Sequence, residues 1–319
     1  MQIVFLDAGT IDLNGDVDYQ PLQELGRLIT YRSTPHVHEA ISRCREAEYV
    51  ITNKVPMTRQ VVQACRKLRH IAVIATGYNN IDLAACRDHG IGVSNVPGYA
   101  RHSVPQHVFA LILNLATRTH DYHRDVMQGA WQQAEVFTLL KYHTFELSGK
   151  TIGIIGFGDI GRGVARIAKA FGMHVLMYRR FGQPLDGFEC TPLDRIYREA
   201  DILSVNCPLT DDNRYMINAD VLRQMKPSAL LINTARGPLV DQAALADALH
   251  DGVIAGAGID VLDEEPPTGN PLLHDVPNLI ITPHSAWTTI EARQRLIQEV
   301  AENIRCAFAG EPRNLIQNS

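Results

Sequence analysis

The sequence has no apolar run near the roughly 18 residues that a membrane-spanning helix needs, which excludes an integral helical membrane protein. It has no basic excess either: 30 Lys and Arg stand against 35 Asp and Glu, and a net charge of −5 gives no footprint for nucleic acid. A small acidic substrate would have to be gripped by local cations. Cysteine is scarce and scattered. The six (Cys44, Cys65, Cys86, Cys190, Cys207, Cys306) form no CxxC pair, so buried reduced thiols are expected rather than disulfides or a zinc site. The thirteen histidines contain no HExxH, and His120 with His123 reads as one turn of helix surface, so no metal is expected. No signal peptide is expected either, because Met1-Gln2-Ile3-Val4-Phe5 enters a strand pattern directly, and the expected location is cytoplasmic. What is present, at 45% hydrophobic and 20% charged residues, is the composition of a globular protein of about two domains.

The chain alternates short apolar strands with amphipathic helices, the pattern of a parallel sheet covered by helices. Strands are predicted near residues 3–6, 28–31, 49–52, 71–75 and 92–95, with helices over 58–67 and 82–89 capped by Thr58 and Asp82. The turn-forming stretch Asn95-Val96-Pro97-Gly98-Tyr99 closes this unit. Ser103-Val104-Pro105-Gln106 then reads as a capping box opening a long helix that runs to about residue 127. A second alternation places strands near 151–155, 174–177, 202–205, 229–232, 254–258 and 279–281, enough for a doubly wound sheet. The amphipathic helix over 287–308 has only eleven residues after it and is expected to pack back on the first unit. The expected architecture is α/β: a doubly wound Rossmann coenzyme domain, 100–287, inserted into a smaller flavodoxin-like α/β substrate (catalytic) domain, 1–99 plus 288–319. Small ligands would sit in a cleft between the two.

The stretch over 151–180 carries the chemistry of a dinucleotide turn. Thr151-Ile152-Gly153-Ile154-Ile155 feeds into Gly156-Phe157-Gly158-Asp159-Ile160-Gly161 and then a helix. Gly156 would permit the sharp turn, Gly158 the approach of a pyrophosphate, and Gly161 close packing of helix on strand. The N–H groups opening the helix would hold the phosphates. GxGxxG by itself is common in loops, but here the strand before it and the helix after it are both present.

Three polar side chains each follow a predicted strand of this second sheet. Arg236 follows Leu230-Leu231-Ile232-Asn233-Thr234-Ala235, Glu265 follows Gly258-Ile259-Asp260-Val261, and His284 follows Ile280-Ile281-Thr282-Pro283. In a parallel sheet all three loops face the edge that carries the glycine turn. A guanidinium can grip a carboxylate and a neighbouring carbonyl in a fixed fork. An imidazole can donate a proton to a carbonyl oxygen as hydride arrives from a nicotinamide, and a carboxylate beside it would orient it and favour its protonated form. Each residue alone has a plainer reading, as a surface ion pair, a loop carboxylate or a hydrogen-bonded histidine. Three such placements on one edge favour the catalytic one.

These residues carry a resemblance. Ala75-Thr76-Gly77-Tyr78-Asn79-Asn80-Ile81-Asp82, the Gly156 to Gly161 turn, Cys207-Pro208-Leu209-Thr210, Asn233-Thr234-Ala235-Arg236-Gly237, the stretch from Asp260 to Pro266 and Thr282-Pro283-His284 resemble, in order, the D-isomer-specific 2-hydroxyacid dehydrogenase family. The match runs essentially end to end. Ile51-Thr52-Asn53-Lys54-Val55 and the 77–82 loop look most like its glycerate dehydrogenases, also called hydroxypyruvate reductases. The resemblance implies that Arg236, Glu265 and His284 are catalytic. It also implies that Lys54 and the Gly77-Tyr78 backbone, with Arg236 and His284, hold a small 2-oxo or 2-hydroxy acid. Asp260 would bind the nicotinamide amide, and Cys207, Pro208, Thr234 and Ala235 would line the cofactor with Asp159, Ile160, Arg236 and His284. A two-fold homodimer through residues 101–131 is implied too.

Two departures stand out. The second strand of a dinucleotide fold usually ends in an acid that binds the adenosine ribose, whereas here it reads Tyr178-Arg179-Arg180. Arg179 and Arg180 would attract a 2′-phosphate, which points to NADP(H), with NAD(H) or plain solvation of the arginines as the alternatives. Pro105 replaces the family's usual alanine, and a local change at the hinge is the expected consequence. D-lactate, phosphoglycerate, formate and phosphite dehydrogenases share much of the pattern, as does a nicotinamide-sensing corepressor, although no low-complexity tail accompanies the chain.

Overall fold

Short runs of branched apolar residues bury best as strands, and most of the eleven strands are of that kind in this computed structural model, which describes residues 1–180, 185, 187–188 and 190–316. The chain forms two compact units, Met1–Ala100 with Thr288–Ser319, and Arg101–Trp287.

In the first unit, β1 (Gln2–Phe5), β2 (Arg27–Thr30), β3 (Tyr49–Thr52), β4 (His70–Val73) and β5 (Gly92–Ser94) make a parallel sheet. Its order, β2-β1-β3-β4-β5, is the flavodoxin-like one. β3 and β4 are buried along their whole length. Ile3, Val4, Phe5, Val50, Ile51 and Ile71 are fully buried, each contributing roughly 1.5–3 kcal/mol of transfer free energy. Helices α1 (Gln20–Gln23), α2 (Val37–Cys44), α3 (Arg59–Ala64) and α4 (Leu83–Asp88) accompany the strands. Asp82 caps α4 as predicted, accepting from Ala85 N at 2.8 Å. Thr58 stands at the N-cap of α3, yet its hydroxyl is buried with no partner among the described residues, so it does not cap. His70 is a core histidine: burial pushes its pKa down to about 4, and its Nε2 lies 2.8 Å from Ser94 Oγ.

The second unit opens with α5 (Ser103–Thr117) and α6 (Thr119–Met127). The predicted capping box does not form, because Ser103 is already helical and His102 takes the N-cap position without a side-chain bond. The predicted single helix to residue 127 is also broken. Arg118 turns left-handed at φ 55°, and its guanidinium is held by Asp121 at 2.7 Å and Asn278 Oδ1 at 2.9 Å. A parallel sheet follows, built of β6 (Thr151–Ile155), β7 (His174–Tyr178), β8 (Ile202–Val205), β9 (Leu230–Asn233), β10 (Gly256–Ile259) and β11 (Leu279–Ile281). Between them lie α7 (Asp159–Ala170), α8 (Leu193–Glu199), α9 (Ala219–Gln224) and α10 (Gln242–His250). The order is β11-β10-β9-β8-β6-β7, and Cys190 adds one parallel bridge outside β7 at Met177. That bridge stands where the third strand of a Rossmann sheet would pair.

The last helix, α11 (Ile290–Phe308), packs on β4 and α1 of the first unit, as its apolar stripe requires. All six cysteines are free thiols. Cys44, Cys65 and Cys86 are buried, but Cys190, Cys207 and Cys306 are partly exposed, contrary to the expectation for those three. Among the described residues no helix is long and apolar enough to cross a membrane.

Candidate active site

The second sheet reverses its direction of growth between β6 and β8, and the glycine turn leaves β6 at that point. Gly156 sits at φ +91°, and a Cβ there would lie 2.5 Å from Cys207 N. Only glycine serves both the turn and the contact. A Cβ on Gly161 would fall 2.1 Å from Gly156 O, so helix α7 can approach only without one. Gly158 differs from both. A Cβ there would meet nothing within 4 Å, so the protein itself leaves this position open at the N-terminus of a twelve-residue helix. Open space beside the first N–H groups of α7 fits an anion held against the backbone. Asp159 and Ile160 form the first turn, Asp159 pairing with Arg162 at 2.6 Å. A cleft of about 420 Å³ beside this turn is lined by Arg101, His102, Asp159, Arg162 and Arg166.

The neighbouring loops add polar groups with bonding capacity to spare. Asn206 Oδ1 and Thr234 Oγ1 are buried without a partner among the described residues, just past β8 and β9. Buried polar atoms of this kind are normally satisfied, and a polar ligand along this edge would do so. Cys207 and Pro208 follow Asn206, and burial pushes the Cys207 thiol up to about 11, so it stays protonated and serves as wall rather than nucleophile. Ala235 N donates to Asn233 Oδ1 at 3.0 Å, which shapes the turn carrying Thr234 and Ala235. Past β7, Arg179 is half-buried and Arg180 is exposed, 3.5 Å from the equally exposed Asp212.

Arg236, Glu265 and His284 come together by register. Asn233, Ile259 and Ile281 lie on one rung of β9, β10 and β11, and each loop leaves from that rung. Buried Asn233 donates through Nδ2 to Arg236 O at 2.8 Å, holding the arginine at the head of its turn. The guanidinium is exposed, donates to Ala235 O at 2.7 Å, and has no carboxylate partner among the described residues. A Cβ on Gly237 would lie 2.1 Å from Leu262 O, so the arginine turn packs directly on the backbone that leads to Glu265. Glu265 Oε1 accepts from Leu262 N at 2.9 Å, and its Oε2 lies 2.6 Å from His284 Nδ1. His284 itself is left-handed at φ 52°.

Asp260 explains that conformation. Its carboxylate is 1% exposed and accepts from Ser285 N at 2.9 Å, Ala286 N at 3.0 Å and Thr282 Oγ1 at 2.5 Å, while its carbonyl takes His284 N at 2.8 Å. His107 of α5 reaches the same cluster, its Nε2 lying 2.9 Å from Thr282 Oγ1. Sequence reasoning missed Asn233, Thr282 and His107 as supports. An Asn at a strand end was the one visible signal, and nothing in the sequence pointed to His107.

The D-isomer specific 2-hydroxyacid dehydrogenase, NAD binding domain family matches residues 109–286. The chain belongs to the D-isomer-specific 2-hydroxyacid dehydrogenase family. This dehydrogenase is similar to the glycerate dehydrogenase of Methylorubrum extorquens, at 39% identity over 99% of both chains. It is similar also to the hydroxypyruvate reductase of Blautia hydrogenotrophica, at 37% over 99% of both. Among solved structures, an NADPH-dependent glyoxylate/hydroxypyruvate reductase from Sinorhizobium meliloti in complex with citrate is 28% identical, with a TM-score of 0.84. That likeness covers 99% of this chain and 97% of the other. The dehydrogenase therefore uses a nicotinamide cofactor, and the open Gly158 and the Asn206 and Thr234 atoms that lack a partner among the described residues fit one.

On the first unit, Lys54 follows β3 with its side chain exposed, and Gly77-Tyr78 follows β4. Both loops stand at the carboxyl edge of that sheet.

Proposed function

We propose that this enzyme reduces a small 2-oxo acid, hydroxypyruvate or glyoxylate, to the D-2-hydroxy acid. The unit Arg101–Trp287 is the coenzyme domain in this reading, and Met1–Ala100 with Thr288–Ser319 the substrate domain. The 2.6 Å contact between Glu265 Oε2 and His284 Nδ1 carries the proposal. It engages one ring nitrogen and leaves Nε2 to hold a proton and deliver it to the substrate's carbonyl oxygen. Arg236, without a carboxylate partner among the described residues, grips the substrate's carboxylate, and Lys54 and the Gly77-Tyr78 backbone are further substrate-binding groups. Gly156, Gly158, Asp159, Ile160, Gly161, Cys207, Pro208, Thr234, Ala235 and Asp260 hold the cofactor, whose nicotinamide supplies the hydride. The names of the relatives support these substrates. Six free thiols suit a reducing compartment, the cytoplasm.

NADP(H) is the preferred cofactor in this reading, because Arg179 and Arg180 stand where an acid would repel a 2′-phosphate. Releasing Arg180 from exposed Asp212 costs little. The test is loss of reduced-cofactor absorbance with NADPH or NADH and a panel of 2-oxo acids. Turnover is expected, with kcat/KM higher for NADPH. Changing both arginines to alanine should move the NADPH to NADH ratio about 10- to 100-fold towards NADH, the loss of one or two charge-assisted bonds. An unchanged ratio rejects the assignment of the arginines, and no turnover on any acid rejects the function.

A homodimer belongs to the same reading, with its contact continuing past 101–131. Met127, Trp131, Val136, Phe137 and Leu140 are exposed, the last two at 90%, which is far more apolar surface than one short loop ordinarily shows to water. A second copy of this chain is the proposed cover. Sedimentation should give twice the 35.4 kDa of the chain, and Phe137→Asp with Leu140→Asp should give one chain's mass. A wild-type monomer at micromolar concentration would end the idea.

A further inference from the structure

In the first sheet the strand order reverses between β1 and β3, the point at which open α/β sheets take their ligands. Here that point holds a carboxylate of the protein's own. Asp7 lies two residues past β1 and is 4% exposed. Three successive N–H groups of the loop after β3 converge on it: Asn53 N at 2.9 Å from Oδ1, Lys54 N at 2.6 Å and Val55 N at 3.3 Å from Oδ2. Burial holds its pKa above the usual carboxylate value, an effect that these N–H groups and the Lys54 charge offset only in part. Successive N–H groups curled round an anion form a nest, and a buried carboxylate satisfied in this way holds its loop in one shape.

The same loop grips the next one. Asn80 donates through Nδ2 to Val55 O at 3.0 Å, and its carbonyl accepts from Met57 N at 2.8 Å. Asp82 N donates to Met57 O at 3.0 Å. The backbone around Gly77-Tyr78 is thereby keyed to the loop that Asp7 shapes.

We propose that Asp7 is a positioning residue for the substrate's carboxylate, setting the Lys54 loop directly and the Gly77-Tyr78 loop through Asn80. This rests on the substrate-binding role proposed above for those loops. It acts by holding backbone in place and touches no reacting atom.

The test is Asp7→Asn, which keeps the shape but turns an amide N–H₂ towards backbone N–H groups. KM for the 2-oxo acid should rise about 10- to 100-fold, the usual penalty for a binding group displaced by about an ångström. The kcat should change little, and the Kd for NADPH, measured by fluorescence titration, should stay that of the parent. A role confined to stability would lower the melting temperature and the active fraction without moving KM. If Asp7→Asn does not fold, Asn80→Ala at a half-buried position decides, with a smaller rise in KM in the same direction. A folded variant of either kind with the parent's KM overturns the inference alone. A parent protein that reduces no 2-oxo acid overturns it together with the functional reading.

Discussion

Replacing His284 by glutamine should lower kcat about 10²- to 10⁴-fold, the span ordinarily lost with a general acid. Glutamine can occupy the site and hydrogen-bond, but it cannot carry a proton to a carbonyl oxygen. The loop has reasons of its own to stay in place. Asp260 accepts from Ser285 N and Ala286 N on the far side of residue 284, and the residue's own N–H donates to Asp260 O. The left-handed backbone at 284 is one that glutamine adopts less readily than histidine, so the variant's melting temperature should be followed beside its kcat. A loss of kcat in a protein that melts like the parent locates the effect in proton transfer. Parent-like turnover would show that another group moves the proton, and the 2.6 Å contact with Glu265 would then be structural only.

Arg236→Lys is expected to lower kcat/KM for the 2-oxo acid about 10²- to 10³-fold, equivalent to roughly 3–4 kcal/mol of transition-state binding. The substitution keeps the charge and removes the fork. Lysine would supply a hydrated point charge where a planar guanidinium can meet two oxygens at once. Arg236 is placed for that task. Asn233 holds its carbonyl, Gly237 lets its turn sit on the backbone at Leu262, and no carboxylate of the described residues claims the guanidinium. Full kinetics on glyoxylate and hydroxypyruvate would check it. A lysine variant within about twofold of the parent, less than 0.5 kcal/mol, would mean that a single charge suffices.

Much of this could be read along the chain because the relevant patterns are local. Tyr49–Thr52 and Ile202–Val205 are buried at every position, and their mostly apolar, β-branched-rich runs marked central parallel strands at their true bounds. Gly256–Ile259 starts two residues and ends one residue later than the pattern suggests, since its glycines make room for Leu111 and Leu115 of α5, a contact between distant stretches. The break at Arg118 was hidden for a similar reason. Its left-handed turn is braced in part by Asn278, 160 residues further on.

By itself the sequence determined the strand and helix order, the dinucleotide turn and the three polar residues that follow β9, β10 and β11. Each of these depends on side-chain periodicity, on a glycine's missing Cβ or on the rule that parallel strands end on one edge. Only the tertiary structure decided what surrounds each carboxylate. Glu265 could be singled out as the histidine's partner, but nothing along the chain showed that Asp260 holds the turn beneath that histidine or that Asp7 fills a nest in the other sheet. A carboxylate's role is set by the donors that surround it, and those donors come from residues far away along the chain.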